Sequence, residues 1–187
     1  MRPAIFLDRD GTLIEDVDYL QHADQMRVLP GVPEALRALQ SAGYALVIIT
    51  NQSGVARGLL TEETLAELHQ ELVYRLGEQG VTVDGIYYCP HHPEHGSAEY
   101  RVDCECRKPG TALLEQAGQD IGLDLGASWA VGDKLSDLAG AVRLGCRAVL
   151  VRTGYGADHE GLLGSTDFQA LVADDLAEAA HLILSAN

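Results

Sequence analysis

Short apolar runs alternate with stretches of helical period along this chain. The runs 4–7, 44–49, 85–89, 128–132 and 147–152 have the length and the β-branched or aromatic content of buried strands. Apolar residues recur at helical spacing over 32–41, 61–79, 111–121, 135–144 and 176–185. The first four of these stretches stop at Gly43, Gly80, Gly122 and Gly145, the residue type that most readily closes a helix. The second opens on Thr61 with Glu63 two residues on, a weakened capping box. Five-fold strand–helix alternation predicts an α/β fold: a doubly wound, Rossmann-like parallel sheet with helices on both faces and right-handed crossovers. One domain should span 1–187. Three segments, 13–30, 50–61 and 89–110, are too long for simple connections. All follow the carboxyl end of a strand, so all should overhang one crevice.

The polar residues at those strand ends are not a random set. The first strand runs directly into Asp8-Arg9-Asp10-Gly11-Thr12, two carboxylates with a turn residue behind them. The second ends in Thr50-Asn51-Gln52-Ser53-Gly54, and the loop after the third ends in Arg107-Lys108-Pro109. The fourth ends in Gly132-Asp133-Lys134, with Asp137 following. An acid at a helix start is often only a cap. Four strand ends converging on acids, hydroxyls, an amide and two lysines are hard to explain by capping.

Charge sharpens this. The net charge is −15, and a nucleic-acid partner, which normally meets a basic face, is not expected. The only lysines, against eleven arginines, are Lys108 and Lys134. An Arg-biased composition explains their scarcity but not their positions, which suit ammonium groups aimed at a phosphate or carboxylate. Hydrophobic content of 47% with no membrane-length run and no signal-peptide pattern leads to the expectation of a soluble cytoplasmic protein without a membrane partner.

Three of the four cysteines, Cys89, Cys104 and Cys106, share the window 89–106 with His91, His92 and His95. Such a cluster reads as a metal site rather than as disulfides or free thiols. Cys-x-His at 89–91 and Cys-x-Cys at 104–106 make Cys89, His91, Cys104 and Cys106 a structural zinc set, with His92 and His95 as competing nitrogen donors. Four protein ligands leave no open position, so the zinc should fix the loop that carries Arg107 and Lys108. Cys146 stands alone in an apolar stretch and reads as core.

Two close carboxylates facing a phosphate dianion need cations. Mg²⁺ held by the carboxylates of Asp8, Asp10 and Asp133, with Asp137 behind them, would supply part of the compensation. Lys108, Thr50 and the N–H groups of 51–53 would supply the rest. Asp8 could then attack phosphorus, and Asp10 could protonate the leaving oxygen and later activate water.

These motifs, in this order, resemble the haloacid dehalogenase superfamily of phosphatases over essentially the whole chain. The resemblance implies sheet order 3-2-1-4-5, Asp8 as nucleophile, Asp10 as acid/base, and Thr50 and Lys108 steadying the phosphoryl group. No large cap domain fits in 187 residues. Residues 50–58, the zinc-type loop and Arg107-Lys108-Pro109 further resemble the D-glycero-D-manno-heptose 1,7-bisphosphate 7-phosphatase group. That implies a phosphorylated sugar as partner in lipopolysaccharide or nucleotide-sugar biosynthesis. It also implies substrate contacts from Asp16, Tyr19, Asn51, Gln52, Ser53, Arg107 and Lys134. Arg57, a glycine-flanked cation above the crevice, suits a second phosphate. A monomer is expected. Histidinol-phosphate phosphatase is the near alternative. A receiver-type phospho-accepting module is the distant one, disfavoured by Asp10 and the zinc-type loop.

Overall fold

A computed structural model describes residues 1–186. Six parallel strands form one sheet in the order β3-β2-β1-β4-β5-β6. They are β1 (Ala4–Leu7), β2 (Ala45–Asn51), β3 (Gly85–Cys89), β4 (Trp129–Gly132), β5 (Arg147–Val151) and β6 (Leu171–Ala173). The order 3-2-1-4-5 is present, and β6 extends it by pairing Leu171 with Val149. The sequence reading passed over β6 because three residues followed by two acids are too short to show a strand pattern.

Among the described residues the α-helices are α1 (Val32–Ser41), α2 (Ser53–Ala56), α3 (Glu62–Gly77), α4 (Ala112–Ile121), α5 (Leu135–Arg143), α6 (Gly156–Glu160) and α7 (Leu176–Ser185). The short α2 and α6 were not anticipated. They lie in glycine-containing loops with no room for an apolar period. Thr61 caps α3 by accepting from the N–H of Thr64.

The middles of the strands are apolar because both faces are covered. Side chains alternate across the sheet. Ile5, Leu7, Leu46, Ile48, Trp129 and Val131 meet Leu36 and Leu39 of α1, Leu68, Leu72 and Leu76 of α3, and Ile183 of α7. Ala4, Phe6, Val47, Ile49, Ala148 and Leu150 meet Leu113 and Ala117 of α4 and Leu138 and Ala141 of α5. Strand order reverses at β1, which has β2 on one side and β4 on the other. Ligands of open α/β sheets bind at that position.

The two sheet edges are unequal. Return connections to the amino-terminal edge are short: 42–44, 78–84, 122–128 and 144–146. At the carboxyl-terminal edge the segments 8–31, 52–61, 90–111 and 152–170 are longer, and only 133–134 and 174–175 are brief. No described helix is long and apolar enough to cross a membrane.

Candidate active site

Asp8 is the next rung of the β1 ladder: its N–H donates to the Val131 carbonyl at 3.0 Å. Its side chain lies at the floor of a 520 Å³ cavity on the carboxyl edge. Gly11 carries the chain away at φ 81°, and a Cβ there would lie 2.4 Å from Asp133 Oδ2. The close approach that only glycine allows brings the first and fourth strand ends together.

Lys108 Nζ is anchored three ways. It donates to Asp8 Oδ1 at 2.5 Å and to the Ile49 carbonyl at 2.8 Å, and it pairs with Asp137 Oδ1 at 2.8 Å. Burial pulls its pKa down, but Asp137 and Asp8 more than reverse that, so the ammonium stays charged. Asp133 is fully buried. Its Oδ2 accepts from the Tyr155 N–H at 2.9 Å. Its Oδ1 has no hydrogen-bond partner among the described residues.

The carboxylates that converge are those of Asp8, Asp133 and Asp137, all within 4.8 Å of one another. Asp10, expected with Asp8 and Asp133, has its carboxylate elsewhere. It accepts from Arg9 Nε and Nη2 and from Gln52 Nε2. Asp137 enters because it opens α5 one turn after Asp133. Its Oδ2 takes the Lys134 N–H at 2.9 Å and leaves Oδ1 for Lys108.

Thr50 is buried, and its hydroxyl accepts from Gln52 Nε2 at 2.9 Å, which leaves its proton free to donate. Asn51 and Gln52 line the cavity, but their amides serve the protein. Asn51 donates to the Lys108 carbonyl at 3.2 Å and accepts from the Lys108 N–H at 3.0 Å. Gln52 bridges Arg9, Asp10 and Thr50. Its own N–H pairs with the Cys89 carbonyl, so the expected row of donors over 51–53 is interrupted.

Asp16, Tyr19, Ser53, Arg107 and Lys134 also line the cavity. Lys134 Nζ is 3.3 Å from Asp16 Oδ2 and 4.6 Å from the centre of the Tyr155 ring. Arg57 does not line it. Its guanidinium sits 5.9 Å over Tyr19 and 3.4 Å from His92 Nε2. Tyr155 and Ser136 are cavity residues that sequence reasoning missed. The Gly154-Tyr155-Gly156 turn after the fifth strand, at the functional edge, was the available signal.

The second cluster assembles as expected. Cys89, His91, Cys104 and Cys106 offer three sulfurs and one nitrogen within 4.8 Å of one another. Sulfur–sulfur separations are 3.0, 3.2 and 3.6 Å, and His91 Nδ1 lies 3.3–3.8 Å from the sulfurs. A tetrahedral zinc with thiolate and imidazole ligands has ligand–ligand edges of about 3.5–3.8 Å. Three thiolates and one imidazole fit zinc in donor chemistry, and they are gathered somewhat more tightly than those edges. His92 and His95 stack on each other at 4.5 Å, outside this cluster.

Two family models match the chain: haloacid dehalogenase-like hydrolase over residues 5–73 and HAD-hydrolase-like over 105–179. A Yersinia pestis protein named D-glycero-beta-D-manno-heptose-1,7-bisphosphate 7-phosphatase is 47% identical over 85% of each chain. An Escherichia coli protein of the same name is 47% identical over 81% of this chain and 80% of its own. The crystal structure of D,D-heptose 1,7-bisphosphate phosphatase from B. bronchiseptica, complexed with magnesium and phosphate, aligns over 100% of both chains. Its TM-score is 0.85 and its identity 35%. The chain belongs to the haloacid dehalogenase-like phosphatases.

The phosphatase's acids are unsuited to stand alone. Burial, then Asp137, raises the Asp8 carboxyl to about 8, and burial, then Asp137, raises Asp133 to about 6. A hard divalent cation would hold both as carboxylates, and the unpartnered Asp133 Oδ1 is a ready oxygen ligand. Asp8 and Asp133 fit Mg²⁺ on these grounds.

The phosphatase also buries His69 beside Arg9, with Arg9 Nη1 3.2 Å from His69 Nε2. Burial, then Arg9, lowers the imidazole pKa to about 4. The unfolded chain therefore binds a proton near 6.5 that the folded one refuses, so stability falls as pH drops between those values. Going from pH 7 to pH 5 should cost about 2 kcal/mol through this group. His69→Gln, which keeps an acceptor for Arg9, should flatten that slope in denaturant melts. An unchanged slope would assign the acid sensitivity to other groups.

Proposed function

We propose that this phosphatase removes the 7-phosphate of D-glycero-D-manno-heptose 1,7-bisphosphate, with preference for the β anomer, through an aspartyl-phosphate on Asp8. The observation that carries this is 47% identity, over more than four-fifths of the chain, to proteins named for that reaction. A cavity lined by acids, two lysines and Arg107 suits a sugar with two phosphates. A receiver-type module is set aside, because the relatives are hydrolases.

Mg²⁺ bound at Asp8 and Asp133 would screen the phosphate dianion and lower the barrier to attack by a carboxylate. Lys108 and the Thr50 proton grip the phosphoryl oxygens. Asp8 attacks phosphorus, and Asp10 gives its proton to the departing sugar oxygen. Asp10 then takes a proton from the water that releases phosphate. Asp16, Tyr19, Ser53 and Lys134 are placed to meet the sugar and its remaining phosphate. Asn51 and Gln52 act on substrate through Lys108, Thr50 and Asp10 rather than by direct grip. All these groups come from one chain, so a monomer holds a complete site.

Phosphate release from both heptose bisphosphate anomers and from histidinol phosphate tests the reading. The β-heptose substrate should give the highest kcat/KM, and a preference for histidinol phosphate would overturn it. Arg107 tests the recognition half. It follows the last zinc ligand, donates to the His91 carbonyl at 3.2 Å and reaches the cavity wall. Arg107→Ala should lower kcat/KM on the bisphosphate by about 10- to 100-fold, the loss of one charge-assisted contact. It should barely affect p-nitrophenyl phosphate. Equal losses on both would place Arg107 in the chemistry.

A further inference from the structure

Arg9 lies between the two catalytic carboxylates in sequence, and the reaction above gives it no task. Its surroundings are unusual for a charged side chain. It is 1% exposed. Nε donates to Asp10 Oδ2 at 3.1 Å, and Nη2 donates to Asp10 Oδ1 at 3.0 Å and to Gln52 Oε1 at 2.9 Å. Nη1 meets His69 Nε2 at 3.2 Å. Gln52 Nε2 closes the ring, donating to Asp10 Oδ2 and Thr50 Oγ1, both at 2.9 Å.

A two-point fork on a carboxylate fixes both its position and its plane, which a single hydrogen bond does not. Lysine cannot reproduce it. The fork is itself held from behind by a neutral imidazole acceptor and from the side by the Gln52 carbonyl. A buried guanidinium is strongly desolvated, so a fold that needed only packing would have little use for one here. None of its partners belongs to the converging acids Asp8, Asp133 and Asp137.

We propose that Arg9 is a positioning residue for proton transfer: its fork holds the Asp10 carboxyl at the leaving oxygen, and Gln52 ties that orientation to the Thr50 hydroxyl that grips the phosphoryl group. This rests on the reading of Asp10 as acid/base. The network acts on the acid rather than on the nucleophile, so its effect depends on the leaving group. A sugar oxygen needs a proton to depart, and p-nitrophenolate does not.

The test is first-turnover kinetics of Arg9→Lys, with Asp10→Asn as reference, on an alkyl phosphomonoester and on p-nitrophenyl phosphate. General acid catalysis contributes about 10²–10⁴-fold, and a misplaced group loses about 10²-fold. Arg9→Lys should therefore slow alcohol release by about 10- to 100-fold with little change in KM. The p-nitrophenolate burst should stay within about threefold of wild type. Asp10→Asn should show the same selectivity more strongly, and Arg9→Lys should add little to it. Equal slowing of both substrates, or none, overturns the proposal. If Asp10→Asn itself lacks leaving-group selectivity, the acid/base reading fails, and the role of Arg9 fails with it. Should Arg9→Lys not fold by circular dichroism, Gln52→Met decides. Removing the third donor on Asp10 must show the same selective loss, and equal losses overturn the proposal.

Discussion

Replacing Asp8 by asparagine should lower turnover by about 10⁴-fold or more, on every substrate, while leaving the fold intact. The amide has no anionic oxygen to attack phosphorus, and it is a poor ligand for Mg²⁺. The side chain is isosteric, and Lys108 keeps two of its three anchors, Asp137 and the Ile49 carbonyl. Stability should even rise at alkaline pH when no cation is present. The folded protein holds the Asp8 proton up to about 8, against 3.8 for the ordinary carboxyl. The folded state then binds more protons than the unfolded one over that interval, so wild-type stability falls as pH climbs through it. The asparagine variant lacks this titration. Thermal melts in chelator at pH 5 and pH 8, with phosphate release measured beside them, check both halves. A variant with more than about 1% of wild-type turnover would move the nucleophile elsewhere.

Cys104→Ala should empty the second metal site, and its effect should reach the catalytic lysine. Protein made with zinc available should carry one zinc per chain that survives dialysis, while activity still needs added Mg²⁺. The two ions sort by ligand softness, thiolates for one and carboxylates for the other. Structural zinc contributes on the order of 10 kcal/mol to small folded units, enough to order a segment with no helix or strand of its own. Residues 90–103 are such a segment. Its other fastenings are few: Tyr100 donates to Glu62 at 2.8 Å, the Ala56 N–H donates to the Pro90 carbonyl, Arg107 donates to the His91 carbonyl, and Arg57 meets the His92 ring. Lys108 lies two residues beyond Cys106, so loss of the ion should release its backbone from Asn51. The expected result is no bound zinc, rapid proteolysis within 90–103 and at least a tenfold drop in kcat. Wild-type protein without zinc, or a variant with full activity, would refute this.

Much of the architecture was legible because it rests on local pattern. The strand 4–7 and the helix 176–185 are found where the apolar pattern predicted them. The cluster of Cys89, His91, Cys104 and Cys106 was legible because these donors are rare residue types at close spacing. Other parts were not. Asn51 and Gln52 have the right chemistry for binding a sugar, yet their amides are taken by partners 57 and 42 residues away. No local pattern encodes that pairing. Arg9 was passed over for a related reason: an arginine between acids reads as a solvated charge, and only the folded chain puts it under His69 and Gln52. The Asp10 carboxylate stands apart from the cluster because Arg9 and Gln52 hold it, and Asp137 joins the cluster because one helical turn of α5 aims it at Lys108.

The inequality of the two sheet edges also bears on how the enzyme can be handled. Every residue assigned to chemistry, recognition or metal lies at or beyond a strand's carboxyl end. The brief turns at 42–44, 78–84, 122–128 and 144–146 carry none of them. Met1, just ahead of β1, is 95% exposed. A dye, an affinity handle or a tether to a solid support placed on that side should leave catalysis alone, whereas the same addition within 90–111 should not.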